Sequence, residues 1–178
     1  MPTPKDFVDD WLRQSLDPSL GTNPFMRFMN AWIAFNALYA SQIDSVDGDW
    51  NQVKKFAEDE RLVEMHRRLL RHPSLPAYSQ AIDVLAAHGV TNVKMGRRRD
   101  IRLEKPLLDV LQCIYQVRCN LFHGDKFMSN ERDAELVTAA FVVITNLLTF
   151  YFTGKIVGGW ERVVERAERN KRLPMADE

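Results

Sequence analysis

With 178 residues, 46% of them hydrophobic and 27% charged, the chain has the size and make-up of one globular domain with its own core. Twenty-four basic residues balance twenty-four acidic ones, so no global charge calls for nucleic acid, and any contact with a polyanion has to come from a local patch. The first residues, MPTPKDFVDDWLRQ, contain acids and lack an apolar core, which argues against a signal peptide.

In chain order, residues 4–16 predict a short helix with Phe7, Val8, Trp11 and Leu12 on one side, stopped at Asp17-Pro18 and laid as a flap over the rest. Asn23-Pro24 reads as an N-cap followed by proline at the first helical position. The helix it opens carries Phe25, Phe28, Met29, Trp32, Ile33, Phe35 and Tyr39 to about residue 43, and is expected beside the helix of Arg118. After a polar loop, Asp49 and Gln52 are spaced for a capping box on a third helix that ends before His72-Pro73. Pro76 starts a shorter helix over about 77–87, closed at His88-Gly89. Residues 90–103 read as loop, with a hint of an extended piece and with Gly96-Arg97-Arg98-Arg99 as an exposed turn.

Residues 105–124 form the helix that organises the chain. Leu107, Leu108, Leu111, Ile114, Tyr115, Val117, Leu121 and Phe122 recur at three- and four-residue steps, the pattern of a helix buried over most of its girth. Gly124 supplies the stop, which leaves Arg118, Asn120 and His123 near the last turn. Cys113 and Cys119 lie on this helix about 9 Å apart along its axis, too far to bridge, which fits a reducing cytoplasm. A long helix over about 130–153 follows, and Gly154, Gly158 and Gly159 separate it from a last amphipathic helix. The nineteen residues 136–154 carry no charge and are just long enough to cross a bilayer. Thr138, Thr145, Asn146 and Thr149 punctuate the run and the mean hydropathy of the chain is −0.30, so the reading is a core helix and not a membrane span.

The string Arg118-Cys119-Asn120-Leu121-Phe122-His123, followed by Gly124, resembles the R-x4-6-H motif of the HEPN superfamily, small all-helical domains that include metal-independent RNases of toxin and phage-defence systems. Residues 30–39, NAWIAFNALY, are similar to the aromatic N-terminal helix of a subgroup that also carries an Arg-polar-Asn-Leu-Phe-His-Gly string. The resemblance implies one all-α bundle over residues 1–178. Four to five core helices would span about 23–153, with flanking helices in 1–20 and 154–178. It also implies a cytoplasmic homodimer whose motifs face one another, single-stranded RNA as substrate, an antitoxin or defence-system partner, and no cofactor. Its chemistry is attack of the RNA 2′-OH on the adjacent phosphate, with His123 as general acid or base and Arg118 stabilising phosphoryl charge. In that family the residue after the arginine is most often Asn, Asp or His. Here it is Cys119, and that departure carries the alternative, a catalytically inactive module that dimerises or binds a nucleotide, RNA or partner protein.

Elementary chemistry bears on each of these residues. Arginine suits bidentate phosphate contact, yet on an apolar helix it can equally be salt-bridged at a bundle edge. Histidine at a helix C-terminus meets the dipole or caps carbonyls, and it is also the side chain that exchanges protons near neutral pH. Five helical steps set Arg118 and His123 about 140° apart, so either the helix end bends His123 back or a second copy completes the site. Asn120 can orient substrate or bond a neighbouring loop, and Asn36 reads as a buried amide holding helices in register or touching the motif helix. Cys119 and His123 have the i, i+4 spacing of a zinc pair, but no second pair follows, so no metal site is expected. Arg97, Arg98 and Arg99 form the candidate RNA-binding patch.

Overall fold

The computed structural model describes residues 3–17, 19, 23–43, 48–73, 75–92, 96–123 and 130–153, and within them the protein is all-α, with seven helices and one two-stranded hairpin. The last amphipathic helix expected after residue 153, and the glycine stop at Gly124, lie outside the described residues.

Helix α1, Pro4–Leu16, begins with a capping box: Thr3 Oγ1 accepts the Asp6 amide at 3.3 Å while the Asp6 carboxylate accepts the Thr3 amide at 2.8 Å. It buries Val8 and Leu12 against α2, Pro24–Gln42. At the start of α2 the Asn23 side chain accepts the amides of Phe25 and Met26, as the Asn-Pro pair predicts. Phe25, Phe28, Trp32, Phe35 and Tyr39 then form one buried stripe, and each fully buried aromatic contributes on the order of 2 kcal/mol of apolar burial.

The third predicted helix is two helices, α3, Asp49–Ala57, and α4, Glu60–Arg71. Asp59 causes the break, because its carboxylate accepts the amides of Arg61 and Leu62 and so offers the backbone a new N-terminus in mid-segment. The expected capping box at Asp49 is also absent. Gly48 occupies the N-cap at φ +86, and the Asp49 carboxylate is taken instead by the Tyr39 hydroxyl. Among the described residues, 23–153 therefore hold six helices where four to five were expected.

Helix α5, Pro76–His88, ends at Gly89, whose φ of +59 favours glycine and whose missing Cβ leaves room for the Arg98 guanidinium. The segment read as loop contains an antiparallel hairpin of β1, Val90–Asn92, and β2, Arg97–Arg99, in the register Val90↔Arg99, Thr91↔Arg98, Asn92↔Arg97. Three-residue strands are too short to show an alternation that sequence reading can separate from a loop.

Helix α6, Leu107–Phe122, starts later than the periodicity suggests, because Lys105 sits at φ +49 and Pro106 is the N-cap. Helix α7, Glu131–Thr153, is the central element, packed against α2, α4 and α5, and its residues 139–148 are all buried. Among the described residues it is the one helix long and apolar enough to cross a membrane, and 67% of that apolar stretch is buried inside the protein. Its polar residues turn inward on their own helix: Thr145 Oγ1 donates to the Phe141 carbonyl at 2.7 Å and Asn146 Nδ2 to the Val142 carbonyl at 2.8 Å.

Candidate functional site

Helix α6 has two working faces, and the R-x4-H string is divided between them. Its start is fixed from α4 and α5: His66 bonds the Lys105 carbonyl and the Tyr78 hydroxyl, each at 2.7 Å, and Lys105 Nζ lies 2.5 Å from Asp83. These contacts hold the entry to α6, so the direction in which its last turn presents side chains is set by the fold and not by the motif alone.

One face meets the hairpin. Asn120 is buried, receives the Gln116 amide on Oδ1 at 2.7 Å and donates from Nδ2 to the Thr91 carbonyl at 2.7 Å. Asn92 donates to Gln116 at 3.2 Å, and the Cys113 thiol points at the Arg99 carbonyl. Of the two roles open to Asn120, the bond to a neighbouring loop is the one occupied, and it fastens β1 to α6. Burial pushes the Cys113 thiol up to about 12, with the Asp100 and Asp109 carboxylates acting in the same direction.

The other face meets α2 and α3. Arg118, with its side chain 27% exposed, is boxed by aromatic rings: its guanidinium carbon lies 4.8 Å from the Phe122 centroid, 5.8 Å from Tyr115 and 5.9 Å from Trp32. Asp49 Oδ2 stands 3.7 Å from Nη2, and Nη1 lies 3.8 Å from the Cys119 sulfur. The Tyr39 hydroxyl donates to the other oxygen of Asp49. Burial, the bond to Asp49 and that carboxylate's charge all raise the Tyr39 pKa. Burial first, and then the neighbouring Cys119, push Tyr115 up to about 12. Three buried polar atoms here form no hydrogen bond, Trp32 Nε1, Arg118 Nε and Asp49 Oδ2.

His123 is the C-cap of α6 and is exposed. Its backbone amide bonds the Cys119 carbonyl at 3.1 Å, so the helical register runs through to it and the helix end does not bend it back. The angular offset from Arg118 therefore stands. Among the described residues no hydrogen bond or ion pair reaches its imidazole, while Phe122 beside it is 52% exposed.

The remaining candidates are placed differently from expectation. Asn36 is half-buried and not the buried amide foreseen; the α2 residue that reaches the motif helix is Trp32, through Tyr115 and Arg118. The helices α2 and α6 meet through these long side chains and not by close backbone packing. Arg97, Arg98 and Arg99 form a strand and not a turn, so Arg98 leaves the opposite face from its two neighbours. Arg98 is further committed to Asp100 at 2.6 Å, and Arg99 is half-buried. Among the described residues no three His, Cys, Asp or Glu side chains come together as a metal cluster.

Sequence reading missed Asp49 and Tyr39. Asp49 is far from Arg118 in sequence and resembles any acidic residue in a first helical turn, so no spacing connects it to the motif. Comparison of the chain with protein families, with curated proteins and with solved structures returns no match.

Proposed function

We propose that the protein is a metal-independent endoribonuclease of HEPN type, acting as a homodimer in a toxin or phage-defence setting. The observation that carries this reading is the exposed end of α6. There Phe122, half in solvent, covers the Arg118 guanidinium, and the exposed His123 is the next residue. An exposed aromatic face beside a cation and an imidazole offers a stacking surface for an RNA base, a charge for its phosphate and a group that exchanges protons near neutral pH.

The reaction forms a bond from the ribose 2′-oxygen to the adjacent phosphorus and breaks the bond from that phosphorus to the 5′-oxygen. One imidazole removes the 2′-proton and a protonated imidazole delivers one to the leaving 5′-oxygen, while Arg118 stabilises the pentavalent phosphate. A dimer brings two copies of His123, one for each transfer. It also resolves the angular offset between Arg118 and His123 within one helix, since each can meet the other's counterpart across a two-fold axis.

Purified protein incubated with labelled single-stranded RNA in EDTA is expected to give 2′,3′-cyclic phosphate ends, with no cleavage where the scissile nucleotide is 2′-deoxy. His123→Ala and Arg118→Ala are each expected to lower the rate by about 10²–10⁴-fold with the fold intact. Sedimentation at tens of micromolar is expected to give a dimer. Equal cleavage by the wild type and His123→Ala would refute the assignment. The Arg118–Asp49 pair favours a second reading, a binding module in which Arg118 is a structural cation. RNA that is retained and never cut, also by Cys119→Asn, selects that reading.

A further inference from the structure

An arginine that stabilises a transition state has to be aimed, and the long flexible side chain of Arg118 does not by itself fix the direction of its planar group. Its aromatic walls, Trp32, Tyr115 and Phe122, surround the guanidinium at 4.8–5.9 Å, and cation–π attraction of this kind has little directional preference within the guanidinium plane. A carboxylate at the edge removes that freedom. Asp49 lies at that edge, with Oδ2 3.7 Å from Nη2, and it is itself held by the Tyr39 hydroxyl on its other oxygen. Tyr39 has nowhere else to go: it is fully buried, with edge-on contacts to Trp32 and Phe35.

We propose that Asp49, anchored by Tyr39, is the positioning residue that orients Arg118 for the phosphate, a role that rests on the ribonuclease reading. The series runs from α2 through the neighbouring α3 to α6, so two consecutive helices and a third distant in sequence fix one cation. Asp49 takes Nη2 from the protein side, Nη1 lies 3.8 Å from the Cys119 sulfur and Nε is buried, so a phosphate meets the second N–H of each Nη group. Asp49 sits in the first turn of α3, at the positive end of the helix dipole.

Asp49→Asn tests this at constant volume, because the amide oxygen can still accept from Tyr39 while the charge that holds Arg118 is gone. The variant is expected to lose about 10²-fold in kcat with little change in KM, the size of effect that misplacing a reacting group produces. Asp49→Glu is expected to recover part of the loss, and Tyr39→Phe to lose less than Asp49→Asn. A second measurement does not depend on RNA. The Arg118 Nε–H group is buried, so its resonance in ¹⁵N-labelled protein, identified by its absence in Arg118→Lys, is expected to exchange slowly with solvent and to exchange about tenfold faster in Asp49→Asn.

If His123→Ala abolishes cleavage while Asp49→Asn cuts like the wild type, the positioning role is overturned and the ribonuclease reading stands. If wild type and His123→Ala cut alike, the ribonuclease reading fails and takes the catalytic role with it. Unchanged exchange of the Arg118 Nε–H in Asp49→Asn overturns the hold of Asp49 on Arg118 whatever the RNA assay gives.

Discussion

Replacing His66 by glutamine probes how the start of α6 is fixed, and its consequence can be worked from geometry. A carbonyl oxygen only accepts, so His66 Nε2 carries the proton toward Lys105, and Nδ1 accepts from the Tyr78 hydroxyl. The ring is neutral in that arrangement, and a proton on Nδ1 would leave the buried Tyr78 hydroxyl without its acceptor. Burial pushes the His66 pKa below its ordinary 6.5; the Lys105 carbonyl opposes this and the Arg67 cation adds to it. A base whose pKa is lowered by folding binds more protons unfolded than folded. Its contribution to stability is therefore complete above 6.5 and falls as the pH drops from there toward the folded-state value. Within that window the slope approaches about 1.4 kcal/mol per pH unit. Urea unfolding of wild type and His66→Gln between about pH 5 and pH 8 reads it directly, because glutamine keeps a donor and an acceptor but does not titrate. The Asp109 carboxyl, held below its ordinary 3.8 by Arg102 against the opposing effect of burial, weakens only at lower pH and does not interfere. His66→Ala is expected to cost about 3 kcal/mol at neutral pH, from two lost hydrogen bonds, two orphaned partners and a cavity. Equal slopes for wild type and His66→Gln below 6.5 would refute the assigned tautomer and the neutral ring.

Asn120→Ala removes the bonds to Gln116 and to the Thr91 carbonyl and is expected to cost about 2 kcal/mol, with hydrogen exchange in β1 accelerating more than in α7. Alkylation of the native protein near pH 8 followed by peptide mass spectrometry should label the half-exposed Cys119 first. Cys113, buried and with its thiol pushed up to about 12, should react only in denaturant. Gly89→Ala is expected to lower stability by about 1–3 kcal/mol in thermal melts, since a Cβ there meets Arg98 Nε at 2.5 Å as well as a disfavoured backbone. In an Arg98→Ala background the steric part of that loss should vanish and the backbone part remain.

The elements whose signal is local were legible from the sequence. Thr3 and Asn23 sit where a side-chain oxygen meets free helical amides, Pro24 and Pro76 where no amide is needed, and the apolar stripes of α2, α6 and α7 repeat at the helical period. The third helix divides where the Asp59 carboxylate caps a new N-terminus, and the Asp49 carboxylate, free to cap in the sequence reading, is claimed by Tyr39 from another helix. The hairpin was too short to carry a pattern, and Asn120 helps fix its place by bonding a backbone carbonyl that no sequence spacing marks. At the candidate site the sequence determined the identities of Arg118, Asn120 and His123 and, through the 100° step of the helix, that Arg118 and His123 could not share a face. Only the tertiary structure decided that Asn120 turns to the hairpin, that Arg118 turns to Trp32 and Asp49, and that His123 stays in solvent. Helical periodicity fixes directions relative to one axis, whereas the partner that waits in each direction depends on how the other helices pack around it.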